Sequence, residues 1–429
     1  MAISQASTCL FGDISCSIQI ELRAMYELSK GFRIIEASSF VAAPSAGVYL
    51  SQLGAEVIRI DQIGGGPDFH RWPLSVNGHS LFWEGLNRVK KSVALDLKMA
   101  AGREILVKLA CAPGPRSGIL LTNFPSRGFL SHENLCKTRP DQITVRVMGW
   151  PDGTSAVDYT TNPAVGIPSL TGPGDRQEPT NHVLPAWDLM SDSMAALSLI
   201  AAERNRSETG IGGEVRIPLS DVAFSTIANL GMLGEVISSG HDRPRYGNDL
   251  FGAFGRDFQT RDGARVMIVA LTPRQWTSLI EALQLTSSVD RLEQELGVEF
   301  TRDEGTRFRH RDRINPMVAD AVQRHSLEEI TNLFKEKNFC WDVYRTVKEA
   351  YEQTPDLAKT NPIYRNLRHP SGEEYPAPGF AGTFSELERK DPVAAPQLGA
   401  HTTEVLRSVL NYTTDEIRDF QEAGTVATD

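Results

Sequence analysis

Cysteine is scarce in this chain: five thiols occur among 429 residues, at Cys9, Cys16, Cys111, Cys136 and Cys340. They form no CxxC and no metal-type spacing, so a disulfide framework and a zinc site are both excluded, and reduced thiols in a cytoplasmic protein are expected. No apolar run approaches the roughly 20 residues that a membrane-spanning helix requires. Cations are the minority charge, 44 Lys and Arg against 54 Asp and Glu, and this acidic balance argues against a general nucleic-acid binder. No GxGxxG joins a strand to a helix, so the dinucleotide fingerprint is missing. Internal repeats and long low-complexity tracts are missing as well. Hydrophobic residues make up 41% and charged residues 23%, the composition of an ordinary globular protein whose length suggests two domains.

Residues 1–24 lack the basic start and long apolar stretch of a secretory signal and read as a disordered extension or as an upstream start ahead of Met25. Alternation of strand and helix patterns begins after them. Phe32–Ser38, the helix Ala43–Gly54 and Glu56–Asp61 make a βαβ unit, followed by the loop Gly64-Gly65-Gly66. Ser92–Leu97, a helix over Ala101–Ala110 and Gly118–Phe124 make a second unit, and Gln142–Trp150 adds another buried strand. This pattern predicts an α/β fold with a Rossmann-like parallel sheet. Gly213–Leu219 reads as a further strand and Ser220–Ser238 as one long apolar helix. After Gly240 the composition changes. A hairpin over Phe258–Leu271 turning on Asp262-Gly263, with helices over Pro273–Leu283 and Ser326–Lys337, predicts a smaller α+β domain. Its extent is set at 245–335, and the large domain at 25–225 plus the returning segment 340–429. The dense charge of residues 301–313 reads as a solvated face.

The stretch Asn181 to Arg204, NHVLPAWDLMSDSMAALSLIAAER, has apolar residues Met190, Met194, Leu197 and Ala201 at helical spacing, which predicts that this face packs into a core. Asp188 then falls at or just before the helix start, where free N–H groups favour an anion. An ordinary N-cap explains that position as well as a catalytic role does.

The order of segments along the chain resembles the class III CoA-transferases. FVAAPSAGVYLSQLGAEVIRID is similar to the opening βαβ of that family, LNRVKKSVALDLK to its N-K-R-S-…-L-D-L segment, LLTNF to a strand end, and PQLGAHTTEVL to its C-terminal signature. More idiosyncratic segments (IGGGPDFHRWP, LFWEGLN, LTNFPSRGFLS, VDYTTNPAVGIPSLTGP, NHVLPAWD and GNDLFGAFGRDF) resemble a branch of the family that shifts CoA between the two carboxyls of mesaconate. One departure is plain: a family arginine after the second strand is replaced by Gln62 or Ile63.

The resemblance implies a two-domain chain in an interlocked homodimer, an acyl-CoA substrate, no metal and no cofactor beyond the CoA moiety. It also implies that Asp188 is the nucleophile, forming first an acyl anhydride and then an aspartyl-CoA thioester. Asn87, Arg88, Lys90 and Lys91 fall where the family contacts the nucleotide, and Asn123-Phe124 near the pantetheine. Gly247, Gly252 and Gly255 are candidates to present backbone N–H groups to an oxyanion. Arg71, His182 and Arg256 are candidates for the free carboxylate of the substrate, and His401 is taken as structural. Three other functions stay open at this point. An intermolecular transferase would use the same aspartate. An α-methylacyl-CoA racemase would need a His where Val157 stands. A non-catalytic scaffold would not need Asp188.

Overall fold

The computed structural model of the chain describes residues 25–428, so the expected disorder of residues 1–24 lies outside the described residues. Six strands are parallel: β1 (Arg33–Ala37), β2 (Glu56–Gln62), β3 (Lys91–Leu95), β4 (Ile119–Thr122), β5 (Ile143–Met148) and β6 (Gly213–Pro218). Three more, β7 (Phe254–Gln259), β8 (Arg265–Ala270) and β9 (Cys340–Val343), form a separate antiparallel sheet. A hairpin, β10 (Tyr364–Arg368) and β11 (Glu374–Pro378), follows, and β12 (Val426–Ala427) returns to pair antiparallel with β3.

The large sheet has the order β12-β3-β2-β1-β4-β5-β6, a doubly wound arrangement with one added edge strand. β1 and β4 are buried along almost their whole length, as strands covered on both faces must be. On one face Leu50, Val57, Ile119, Val145, Trp187 and Leu199 share a core. On the other, Ile35, Leu106, Leu109, Leu120 and Leu406 do so. The turn into β2 is set by Gly54 at φ +110°, where a Cβ would stand 2.7 Å from the Tyr26 carbonyl. Only glycine adopts that backbone without strain.

Four expectations need correction. The helix Ala186–Thr209 buries Trp187, Ser191, Asp192, Ala195, Leu199, Glu203 and Arg206. Met190, Met194 and Leu197 face outward, with Leu197 65% exposed. The apolar period is real, but it marks a second face of the helix rather than the one against the sheet. The long helix after β6 is two helices, Leu219–Asn229 and Met232–Ser239, bent by 65° where Gly231 takes φ +80°. Residues 340–343, assigned above to the large domain, pair with β8 and extend the small sheet. Within the charged 301–313 segment Arg307 is fully buried, donating to the Phe300 and Leu271 carbonyls. The small domain packs around Phe254, Trp276, Leu279, Phe300, Ile314 and Val318. No single helix among the described residues is long and apolar enough to cross a membrane.

Candidate active site

In a doubly wound sheet the chain leaves β1 and β4 in opposite directions, and a crevice opens beyond their carboxyl ends. Here that crevice is a cavity of about 690 Å³, with Ser39 and Phe40 on one side, Asn123, Phe124 and Arg127 on the other, and Asp188 on its wall. The two rims are tied together: the Asn123 amide donates to the Ser39 carbonyl at 2.8 Å and accepts from the Ser39 N–H at 3.2 Å. Arg146, almost fully buried in β5, donates to the Phe124, Pro125 and Leu130 carbonyls and so fixes the loop that carries Arg127. Arg127 itself is exposed and makes no hydrogen bond or ion pair among the described residues, which leaves a cation at the cavity mouth.

Asp188 is the third residue of its helix, whose N-cap position is Pro185. The cap is supplied from elsewhere. Asp158, 29 residues upstream, accepts from the Trp187 N–H at 2.7 Å and from the Asp188 N–H at 3.3 Å. Of the two alternatives for Asp188, the ordinary cap is therefore set aside: with Asp158 on the helix start, the Asp188 carboxyl is free to face the cavity. Burial, then the neighbouring carboxylates Asp158 and Asp192, push its pKa up to about 7, while Arg71 pulls the other way. Asp192, one turn further and fully buried, is also raised by burial. A carboxylate with this history is more basic than usual, and hence a stronger nucleophile once ionised.

The remaining candidates separate by location. Asn123 and Phe124 line the cavity with Asp188, and Arg71 acts on Asp188 electrostatically. His182 stands beside the helix start, its ring 6.2 Å from that of Trp187, and its Nδ1 bonds the Leu184 carbonyl. Asn87 and Lys90 are buried and fully engaged. The Lys90 ammonium pairs with Glu36 at 2.8 Å and bonds Asn87, Pro44 and Leu86, and burial lowers its pKa to about 8. Arg88 is buried and donates to the Gly85 and Pro378 carbonyls. Lys91 bridges Glu56 and Glu404 at the amino end of β3, the end of the sheet away from the crevice. None of these four basic-segment side chains faces the cavity. Gly247 and Arg256 line a different cleft of about 900 Å³, beside the 170–175 loop and Arg311. There Arg256 donates from Nη1 to both carboxylate oxygens of Asp249. Gly255 lies in β7 and Gly252 in the turn before it. None of these residues lines the cavity that holds Asp188. The His401 ring accepts from the Ser92 N–H at 3.2 Å, a structural bond.

Sequence reasoning missed Asp158, Arg127 and Phe40. Arg127 and Asp158 lie in segments that carry the resemblance, but nothing in local spacing places either beside Asp188. Among the described residues no three His, Cys, Asp or Glu side chains converge as a metal site.

A carboxylate at the switch point of a doubly wound sheet, beside a cavity lined by polar and apolar groups alike and with a cation at its mouth, is suited to acyl transfer from a thioester. The family model for CoA-transferase family III matches residues 30–402, and the chain belongs to that family. Within it, the chain is 46% identical over 398 residues to the 2-methylfumaryl-CoA isomerase of Chloroflexus aurantiacus, covering 92% of this chain and 97% of that one. It is 24% identical to the human succinyl-CoA:glutarate CoA-transferase, covering 92% and 89%. In fold it is similar to a CaiB/BaiF family protein from Brucella suis, with TM-score 0.72 and 21% identity over 89% of this chain and 99% of that one.

Proposed function

We propose that this chain is an intramolecular CoA transferase that converts 2-methylfumaryl-CoA by moving CoA from the C1 to the C4 carboxyl of mesaconate. The observation that carries the reading is the 46% identity across nearly all of both chains to an isomerase of that name, set against 24% to a transferase named for two different acids. The cavity supports CoA transfer more generally, with Asp188 on its wall.

In this mechanism ionised Asp188 attacks the thioester carbonyl, the C–S bond breaks, and CoA leaves as thiolate while an aspartyl–mesaconyl anhydride forms. The thiolate attacks the Asp188 acyl carbon, expelling mesaconate and leaving the aspartyl-CoA thioester. The C4 carboxylate then attacks that carbon, thiolate leaves, and thiolate attack on the new anhydride at the mesaconyl C4 carbon restores Asp188. Asn123 and Phe124 flank the pantetheine, Arg127 meets the phosphates of CoA, and Arg71 and His182 stand on the side of the free carboxylate. CoA is substrate here, and no further cofactor is required.

A homodimer, interlocked as the family resemblance implies, belongs to this reading. Met190, Met194, Leu197 and Phe224 are exposed, and a second copy would cover them. The loop bearing Gly247, Gly252 and Gly255 would then reach the Asp188 of the other chain as oxyanion donor. A cytoplasmic location fits the free thiols Cys111, Cys136 and Cys340.

The test is conversion of mesaconyl-C1-CoA in the presence of excess isotopically labelled free mesaconate. The expected result is full conversion to the C4 thioester with little label incorporated over many turnovers. Label entering at the rate of product formation would establish intermolecular transfer instead.

A further inference from the structure

Phe40 is unusual in this fold. It is an aromatic residue with φ +70°, in a region where Cβ crowds the backbone and where non-glycine residues persist only when their surroundings hold them. What holds it is Asp68, whose Oδ2 accepts from the Phe40 N–H at 3.0 Å. The same carboxylate is gripped by the guanidinium of Arg59 at 3.0 and 3.3 Å. Arg59 is buried and also bonds Asp61 at 2.7 Å, Glu36 at 3.1 Å and Asn87 at 3.0 Å. Asp68 therefore connects a strained residue on the cavity wall to an ion cluster beneath β1 and β2.

Three residues beyond Asp68 lies Arg71, whose N–H bonds the Asp68 carbonyl at 3.2 Å and whose own carbonyl accepts from Ser80 at 2.5 Å. Its guanidinium stands 5.6 Å from the centre of the Phe40 ring and 5.3 Å from that of Phe82. It has no ion pair among the described residues, yet it acts on Asp188. A guanidinium held between two rings and lacking an anion, beside a reactive carboxylate, is arranged to receive an anionic group of the substrate.

We propose that Asp68 is a positioning residue, joining the Phe40 amide to Arg59 so that Phe40, Phe82 and Arg71 stand as one preset subsite for the free carboxylate of the substrate. This rests on the reading that the substrate is the CoA ester of a dicarboxylic acid. The subsite distinguishes such an ester from one with a single carboxyl, and it retains the diacid after the CoA thiolate has expelled it. Holding the acid in place makes its recapture effectively unimolecular.

The experiment compares two esters on the whole protein: mesaconyl-C1-CoA and methacrylyl-CoA, which lacks the second carboxyl. Both can acylate Asp188, and hydroxylamine traps that acyl group on the aspartate for mass spectrometry. Wild-type protein is expected to label faster with the diacid ester by about 100-fold, and Arg71→Gln to bring that preference below about tenfold. Asp68→Asn offers one acceptor oxygen where two are used, and it is expected to lower the preference by about tenfold while leaving methacrylyl labelling within about twofold of wild type. Phe82→Leu, which leaves the buried cluster intact, is expected to lower the preference in the same direction. A structural defect alone would slow both esters together, so a parallel loss or an unchanged preference in Asp68→Asn and Phe82→Leu overturns the positioning role. Wild-type protein that converts no mesaconyl-C1-CoA would instead remove the substrate reading, and the proposal with it.

Discussion

Replacing Asp188 by Asn removes a carboxyl that the fold holds at a thermodynamic cost, and the size of that cost follows from the surroundings. Burial and the charges of Asp158 and Asp192 raise its pKa from 3.8 to about 7. The native state therefore binds a proton that the unfolded chain has already released between those values. Stability conferred by that proton is present at low pH and declines as pH rises toward 7, at about 1.4 kcal/mol per pH unit. Between pH 4.5 and pH 8 the loss is about 2–3 kcal/mol, allowing for the water that still reaches the group. Asn carries no such penalty. Asp188→Asn should match wild type in urea unfolding at pH 4.5 and exceed it at pH 8 by that amount, with the slope against urea unchanged. It should also abolish turnover, since an amide cannot form the anhydride. In wild type, kcat/KM should rise about tenfold per pH unit below 7 and level off above it. A variant less stable than wild type at pH 8, or equally displaced from it at both pH values, would refute the claim that the fold strains this carboxylate.

Other outcomes follow from the same geometry. Asp158→Asn keeps an acceptor for the helix start but removes a charge beside Asp188, so the acid limb of the kcat/KM profile should move to lower pH; an unmoved limb would remove Asp158 as a cause of the shift. Lys90→Met should destabilise the fold by about 3–5 kcal/mol, because it leaves Glu36 buried without this partner. Its KM for the CoA ester should stay within about twofold of wild type, whereas a large rise in KM would make Lys90 a CoA contact after all. Leu197→Asp places a charge on the exposed apolar face of the Asp188 helix and should yield monomer in sedimentation velocity, while an intact dimer would place the interface elsewhere.

The parts of the fold that were legible are those where one physical requirement dominates a short segment. FRIIEAS and GILLTNF read as buried strands because a parallel sheet covered on both faces demands apolar side chains throughout, and both are strands of the central sheet. The β7–β8 hairpin was legible from Asp262-Gly263, where Gly263 takes φ +87°. Asp188 was legible only with the resemblance, since a lone Asp at a helix start serves equally well as a cap. Its cap turned out to be Asp158, and a bond across 29 residues leaves no trace in local spacing. The burial of Lys90, expected from the resemblance to meet the nucleotide, left no local trace for a related reason. The Glu36 that makes its burial tolerable lies on β1, brought alongside only once the strands have paired.

The helix carrying Asp188 shows where periodicity stops being informative. Met190, Met194 and Leu197 recur as a core-facing stripe would, yet the side turned to the sheet carries Ser191, Asp192, Glu203 and Arg206 among its buried residues. Period fixes which residues share a face, and it is silent on what that face meets. A helix can place polar groups against its own domain when those groups have work or partners there: Asp192 lies beneath Asp188, and Arg206 donates to the Gly118 and Asp141 carbonyls. The apolar stripe is then left for a different surface. That Asp188 and the stripe occupy one helix ties the Asp188 carboxyl to whatever covers the stripe. If a second copy does so, the helix start and its charge cluster are set by assembly as well as by folding, and loss of the dimer in Leu197→Asp should cost turnover even though residue 197 lies far along the helix from residue 188. A monomeric Leu197→Asp with full activity would separate the two and assign the site to one chain alone.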